Sequence, residues 1–382
     1  MISVLQNKGV IIPSPTSVVI EDIDPNRIES GARLYPGTVL HGKDTFIGRN
    51  SIIGLGGGAF IQNAQIGRNC TLMQGIYREC TILDDVIVRG GAEIREGCLL
   101  EEGVELGHTV GLKQTILFPD VVLGSLINFC DALLTGGASR RNHSEVGSCM
   151  ALYNFTPNGD KFASMFGDVP NGLFLNQHPI FIGGQTQIVS PVHVGFGCVI
   201  AAGTKLTRNV ENNLLVSCSP SQDIETIFNP AKIRRPDQKI ETTCLYISNL
   251  ELLRIWYEKV RLPIFKGTYY EKLIRAGIAC IQSGIEERRK RLRRFIEKLH
   301  VSLEYHRQEN NTAEVQSHLN AIEMSQHLVG IPVVDFDFSR IVEELRRRID
   351  SGSDYRVAIR MLPIQLIEQT SRALARSIGC QW

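Results

Sequence analysis

The sequence has 382 residues, of which 43% are apolar, so the chain can form a substantial core and is not disordered throughout. Its 41 basic and 40 acidic residues give a net charge of +1, which provides no basis for nucleic-acid binding. The 10 cysteines are too widely spaced for a metal-binding pair, and we expect no metal site. Because no signal peptide or membrane-spanning apolar run is present, we expect a cytoplasmic protein without membrane contact.

After an N-terminal segment at residues 1–27, apolar residues recur in steps of six. The series slips at residues 56–58 and again after residue 72. Its 18 members are Leu34, Leu40, Phe46, Ile52, Phe60, Ile66, Leu72, Ile76, Ile82, Val88, Ile94, Leu100, Leu106, Ile182, Ile188, Val194, Ile200 and Leu206. At the apolar frequency of this chain, such a series arises by chance with a probability of about 10⁻⁷.

A period of six fits neither an α-helix nor an alternating strand, whose periods are 3.6 and 2. It is typical of a coil with flat sides, in which each hexad forms one side and its periodic residue points inward. We therefore predict a parallel β-helix over residues 28–210, and not the β-sandwich that period two would indicate. The stretch at 154–179 is rich in Pro, Gly and Asn and predicts an extruded loop.

The C-terminal part of the chain has helical periodicity. Residues 211–244 are interpreted as a linker or tail, and residues 245–382 as an α-helical domain that contains a long helical hairpin. Its first helix shows a heptad pattern: Ile274, Ile278, Ile281, Ile285, Arg288, Leu292, Phe295 and Leu299. Asn311, with Glu314 three positions later, predicts the cap of the second helix. Two more helices are predicted at 339–350 and 354–378, the latter bent at Pro363.

Basic residues cluster at 288–294 on the first helix of this hairpin. Such a cluster invites a nucleic-acid interpretation. Acidic residues lie beside it in the sequence, however, so we interpret the run as the solvated face of a long helix.

Residues 121–210 resemble a known family. Three motifs carry the resemblance: the stretch PIFIGGQTQIVSPVHVGFGCVIAAGTKLTRNV at 179–210, Asn154-Phe155 with Lys161, and Asn128-Phe129-Cys130-Asp131. They resemble the acetyltransferase domain of the bifunctional N-acetylglucosamine-1-phosphate uridyltransferase/glucosamine-1-phosphate acetyltransferase, a hexapeptide-repeat acyltransferase. The resemblance implies a left-handed β-helix and a homotrimer that binds acetyl-CoA, or another acyl-CoA, between adjacent coils.

The resemblance also implies roles for individual residues. The residues expected along the CoA arm are Gly184, Ala201, Ala202 and Gly203. The residues expected at the CoA phosphates are Lys232, Arg234 and Arg235. The residues expected to bind the sugar substrate are Asn128, Asn154, Phe155 and Lys161. Small residues suit a pantetheine arm that runs close to the backbone, and basic residues suit phosphate.

The chain departs from the family pattern in three places. The segment SRRNHSEVG at 139–147 is shorter than the family's catalytic histidine segment, and His143 is its only candidate base. Leu133 and Leu134 stand where the family has lysines, so binding of the sugar phosphate is expected to be altered or lost. No glycine-rich nucleotide loop follows an N-terminal strand, so no uridyltransferase activity is expected.

Acyl transfer from a thioester requires a base near the acceptor and a donor for the developing oxyanion. His143 is the best candidate base because its ordinary pKa lies near neutrality. Asp131 or Glu145 is expected to orient it, and a backbone N–H of the Gly183-Gly184 corner is expected to bind the oxyanion.

Two alternatives remain. The lost lysines and the added helical domain favour a hexapeptide scaffold that binds a ligand or a partner without turnover. A γ-type carbonic anhydrase has the same coil but needs three histidines at a subunit interface. The histidines of the coil, which lack the expected close pair, are His41, His108, His143, His178 and His193.

Overall fold

The structure is a computed structural model that describes residues 1–217, 225, 228–327 and 334–378. It shows a parallel β-solenoid of about 11 turns followed by a C-terminal helical region, so the predicted order of β-helix and helices is confirmed. The solenoid begins earlier than predicted, because Val19–Glu21 already pairs with Val39–His41. A helix, α1 (Ile2–Asn7), and two 3₁₀ turns, Pro15–Ser17 and Pro25–Arg27, flank this first strand.

The strands stack into three parallel ladders, which the chain visits in turn. The first ladder contains Arg33–Leu34, Ile87–Val88, Glu105–Leu106, Val122–Leu123, Glu145–Val146, Phe181–Ile182, Val199–Ile200 and Leu215–Val216. The second contains Val19–Glu21, Val39–His41, Ala92–Ile94, Ala151–Tyr153, Gln187–Val189 and Lys205–Leu206. The third contains Phe46–Ile47, Gln65–Ile66, Thr81–Ile82, Leu99–Leu100, Ser164–Phe166 and His193–Val194.

Four longer strands continue from one ladder into the next. Ile52–Gln62 and Thr71–Arg78 run from the first ladder into the second. Val110–Leu117 and Ile127–Leu134 run from the second into the third. In the regular part of the solenoid, paired residues such as Ile82 and Leu100 lie 18 positions apart in the sequence.

Most of the predicted inward residues are buried. Of the 18 positions, 15 are buried. The prediction is wrong at Phe60 and Ile76, which are 37% and 38% exposed, and at Ile52, which is half-buried. In each case the next residue is the buried one. A shift of one residue exchanges the two faces of a strand. The periodicity did not fix the position of each slip to within one residue.

The predicted loop at 154–179 is interrupted. Ser164–Phe166 forms a strand of the third ladder and pairs with His193–Val194, so two shorter excursions replace one long loop. The second of them contains the short helix α2 (Val169–Gly172). Another excursion, between the third and first ladders, is an antiparallel hairpin of Gly137–Ser139 and Asn142–His143.

The helical region begins at Pro236, inside the segment predicted as a linker, of which residues 218–224 and 226–227 lie outside the described residues. Its helices are α3 (Pro236–Trp256), α4 (Leu262–Phe265), α5 (Tyr270–Gln308), α6 (Thr312–His327), α7 (Ser339–Asp350), α8 (Tyr355–Arg360) and α9 (Ile364–Ser377). A π-helical turn, Tyr257–Arg261, joins α3 to α4. No described helix is long and apolar enough to cross a membrane.

Several details of the helical prediction are confirmed. The Glu314 N–H donates to the Asn311 side chain at 3.3 Å, as expected of the helix cap. The heptad residues of α5 are buried, except Ile278, which is half-buried. The helix expected at 354–378 is divided at Pro363 into α8 and α9, because proline lacks the N–H that a continuous helix needs.

The long helix α5 packs against α3, α6 and the third ladder of the solenoid. The π-helical turn that precedes α4 also contacts the solenoid, through buried charges. Arg261 donates to Glu101 at 3.0 Å and also pairs with Glu102, and all three side chains are at most 4% exposed. Burial raises the pKa of Glu101, and the Arg261 guanidinium opposes this increase. Removing one partner of such a network is costly because the remaining charge stays buried.

Candidate active site between the solenoid and the long helix

The Asn128–Asp131 motif lies at the turn between the second and third ladders. Asp131 is 4% exposed and has a left-handed backbone conformation, with φ of 56°. Asparagine and aspartate adopt this conformation more readily than most residues. Gln114, one coil earlier, has the same conformation, with φ of 51°. The stacked turns therefore repeat one backbone conformation, and Asp131 is left-handed because its turn shares that conformation.

Two side chains bind the Asp131 carboxylate. The Asn154 amide donates to Oδ2, and Arg288 Nη2 donates to Oδ1 from helix α5. The structure thus brings together two of the residues singled out by the resemblance and adds a third from the helical region. Arg288 is only 3% exposed, so the interpretation of residues 288–294 as a solvated face is wrong at its first member.

Two adjoining cavities of about 340 and 390 Å³ lie between α5 and this turn. Both are lined by Lys161, Arg288 and Arg291, and we call them together the Arg288 cleft. The smaller cavity is lined by five cationic side chains and two carboxylates: Lys161, Arg288, Arg291, Arg294 and Lys298, with Asp160 and Glu297. The smaller cavity is therefore suited to a small anionic ligand.

Part of this positive charge is compensated within the protein. Arg291 pairs with Glu287 at 2.7 Å, and Lys298 pairs with Asp160 at 2.6 Å. Lys161 has no carboxylate partner among the described residues, and its ammonium lies 5.9 Å from the centre of the Phe155 ring. Arg288 Nη1 is buried without a hydrogen-bond partner in the described part of the chain. Together with Arg294, which forms no ion pair with another described residue, these groups are available to a phosphate or a carboxylate.

His143 lies on the hairpin that leaves the turn between the third and first ladders. Its Nδ1 is 2.8 Å from the Arg140 carbonyl oxygen. Because a carbonyl oxygen only accepts, Nδ1 carries the proton in the neutral imidazole, and that form leaves the Nε2 lone pair for a general base. Glu145 Oε2 lies 3.7 Å from Nε2, which is near but too long for a hydrogen bond.

The residues expected along the CoA arm lie at the turn between the first and second ladders. At this turn the backbones of successive coils come very close. A Cβ at Gly147 would lie 2.4 Å from the Gly184 nitrogen, and a Cβ at Gly183 would lie 2.4 Å from the Ala202 nitrogen. Ala202 and Gly203 are exposed, and Gly203 faces open space. The result is a smooth exposed strip that a narrow chain can follow.

The three basic residues expected at the CoA phosphates lie just before α3. Lys232, Arg234 and Arg235 are all exposed. Arg235 Nη1 donates to the Thr207 carbonyl oxygen at 3.4 Å, which holds this segment against the end of the second ladder.

The predicted residues of one chain thus fall into separate groups, one at each of the three turns of a coil. Asp131 and Asn154 lie between the second and third ladders, next to Lys161 and the Arg288 cleft. His143 and Glu145 lie between the third and first ladders. The strip of Gly184 and Ala202 lies between the first and second. The structure does not bring these groups together within one chain, and Asp131 is held by Arg288 and Asn154 instead of His143.

Arg288 is the residue of this site to which sequence reasoning gave no role. Its signal was present, because it is the polar member of an otherwise apolar heptad series. An arginine at a core position needs a buried partner. The sequence alone did not show that this partner is an aspartate of the solenoid.

The chain was also compared with models of known protein families. None of them matches it. The resemblance of residues 121–210 to acetyltransferases therefore rests on short motifs and supports a proposal of function.

Proposed function

We propose that this chain is an acyltransferase that uses acetyl-CoA, or another acyl-CoA, to acylate an amino sugar, a sugar phosphate or a nucleotide sugar. One observation carries the proposal. Asp131, Asn154 and Lys161, which the resemblance assigns to the site, lie together at one turn of a parallel solenoid. Asp131 and Lys161 border the Arg288 cleft, whose smaller cavity carries uncompensated positive charge that suits a phosphorylated sugar, and Asn154 donates to Asp131.

The solenoid is proposed to be a left-handed coil of hexapeptide repeats. A separation of 18 residues between stacked partners equals three sides of six residues, as for Ile82 with Leu100 and Ile182 with Ile200. Other coils deviate from this spacing, with 17 residues between Leu106 and Leu123 and 16 between Ile200 and Val216. A triangular coil of hexads accounts for both the three ladders and the periodicity.

In the proposed reaction, the acceptor amine attacks the thioester carbonyl carbon, the C–S bond breaks and an amide forms. His143 Nε2 takes the proton from the attacking nitrogen, and this proton then passes to the CoA sulfur as the thiol leaves. Glu145 stabilises the protonated imidazole, and a backbone N–H at the Gly183-Gly184 corner stabilises the oxyanion.

Assembly into a homotrimer in the cytoplasm belongs to the same proposal. Because the three groups of site residues lie at three different turns of one solenoid, a complete site requires residues from the solenoids of neighbouring chains. Three chains around an axis would place the CoA strip of one chain beside a turn of another chain that carries other site residues. Light scattering is expected to give the mass of a trimer, and a monomer at micromolar concentration would contradict it.

A second candidate is a scaffold that binds a sugar phosphate without turnover. The buried pair of Arg288 and Asp131 favours it, because α5 is anchored at the position where the family has its substrate-binding residues. Because α5 lies at this position, less space is left for an acceptor, whereas the Arg288 cleft remains.

Release of free thiol from acetyl-CoA separates the two candidates. The acceptors to be supplied are an amino sugar, its 1-phosphate and its nucleotide derivative. The His143→Ala variant is expected to react roughly 10²- to 10⁴-fold more slowly with unchanged acetyl-CoA affinity, because the histidine serves the acceptor. His108→Ala, which changes an exposed histidine elsewhere in the solenoid, is the control and should match the wild type. Absence of thiol release with all three acceptors would favour the scaffold.

A further inference from the structure

The hairpin of α5 and α6 brings together two histidines and a glutamate outside the proposed active site. His306 lies on the last turn of α5, and Glu314 and His318 lie on the first turns of α6. The imidazole rings have centroids 5.0 Å apart. One donor atom from each of the three side chains lies within 4.8 Å of the other two.

His306 is buried without the contacts that a buried imidazole needs. It is 1% exposed, and neither ring nitrogen has a hydrogen-bond partner among the described residues. Leaving buried polar atoms unpaired is costly, and native structures contain few such atoms. At least one of these two nitrogens is therefore available to a ligand.

His318 is held in the orientation that metal-binding histidines adopt. It is fully buried, and its Nδ1 donates to the Glu314 carbonyl oxygen at 2.7 Å. This contact leaves Nε2 with its lone pair facing α5, where the Ser302 hydroxyl donates to it at 2.8 Å. Metal-ligating histidines commonly donate their other N–H to a backbone carbonyl in this way.

We propose that His306, Glu314 and His318 form a binding site for a divalent transition metal, with Zn²⁺ as the best-suited ion. Two imidazole nitrogens and one carboxylate suit Zn²⁺, whereas Ca²⁺ and Mg²⁺ require mainly oxygen ligands. Metal binding at His318 Nε2 replaces the hydrogen bond from Ser302, and the fourth position is left for water or the released Ser302 hydroxyl. Bound Zn²⁺ needs donor atoms about 3–3.5 Å apart, so small side-chain rotations close the site around the ion.

The position of the site determines which parts of the helical region the ion would connect. The ion would join the end of α5 to the start of α6. Ser302 also accepts from the Ile233 N–H at 3.2 Å, so the segment before α3 is held at the same place. The Glu314 side chain is 34% exposed, which provides a path for the metal from solvent. The expectation of no metal site rested on the spacing of the cysteines, whereas these ligands are two histidines and a glutamate on two helices.

The test uses the full chain, stripped of metal with a chelator and dialysed. Zn²⁺ is titrated by calorimetry, and Co²⁺ is titrated as a spectroscopic probe whose visible absorption reports coordination by nitrogen and oxygen. We expect one ion per chain, with Mg²⁺ and Ca²⁺ failing to compete. The His306→Gln and His318→Gln variants are expected to bind Zn²⁺ roughly 100-fold more weakly or worse.

His300→Gln is the matched control, because His300 lies on the same helix and is exposed. It should bind Zn²⁺ like the wild type, and Zn²⁺ should raise the unfolding temperature of both but not of His306→Gln. If His306→Gln does not fold, Glu314→Gln replaces it, because this partly exposed side chain can be changed without disturbing the core. The proposal is overturned if the wild type binds Zn²⁺ no more tightly than these variants, or if His300→Gln loses binding equally.

Discussion

Arg288 of helix α5 forms a buried ion pair with Asp131 of the solenoid, although 157 positions separate them in the sequence. The two side chains are 3% and 5% exposed. Asp131 also accepts from Asn154, which belongs to the next coil. The pair therefore connects the helical region to the turn that the family resemblance assigns to substrate binding.

Replacing Arg288 by methionine is expected to reduce the free energy of unfolding by about 3–5 kcal/mol, because Asp131 is left buried without its partner. Urea denaturation of the full chain measures this change. Arg293→Met, at an exposed position of the same helix, should change stability by less than about 0.5 kcal/mol. Equal stability of the two variants would show that the ion pair contributes nothing.

Ile94 and Ile76 test the corrected phase of the solenoid. Ile94 is fully buried and pairs with Tyr77, whereas Ile76, one residue earlier on the neighbouring strand, is 38% exposed. Ile94→Ala should cost about 2–5 kcal/mol, and Ile76→Ala should be nearly neutral. Chemical denaturation of both variants measures the difference. If Ile76→Ala proved the more damaging, the inward face would be misassigned.

Asp84 is expected to make stability depend on pH. Burial raises its pKa from 3.8 to about 6, against the hydrogen bonds from Tyr269 and the Arg68 N–H. The folded chain therefore holds this proton more tightly than the unfolded chain. The resulting stabilisation is complete below pH 3.8 and is lost as the pH rises through about 6.

The comparison is with Asp84→Asn, which cannot titrate. Between about pH 4 and pH 6, the unfolding free energy of the wild type should fall by about 2 kcal/mol relative to this variant. Denaturant titrations at several pH values provide the measurement. Parallel pH profiles of the two proteins would rule out a raised pKa.

Ala202 tests the proposed CoA strip. Ala202→Trp is expected to weaken acetyl-CoA binding at least about tenfold, because the indole would cover the path of the pantetheine arm. Gly90 occupies the equivalent turn of an earlier coil, and a Cβ there would meet no atom within 4 Å. Gly90→Trp should fold and bind acetyl-CoA normally. Calorimetric titration of both variants checks this, and equal affinities would remove the strip from the site.

The sequence by itself determined the features that repeat along the chain. Inward residues such as Ile94 and Ile188 were identified because every coil buries the same position, so one periodicity records the same contact many times. The heptad of α5 and the Asn311 cap were identified for a different reason, because both depend on neighbours within a few residues in the sequence.

Only the tertiary structure decided which distant residues meet. The contact of Arg288 with Asp131 and that of His306 with His318 each depend on how a helix packs, and each occurs once, so no periodicity records it. The inward positions near the two slips were assigned one residue too early, at Phe60 and Ile76. A shift of one residue exchanges the buried and exposed faces of a strand without changing the composition of the segment. The separation of His143 from Asp131 likewise follows from the turning of the coil, which places residues close in the sequence on different edges.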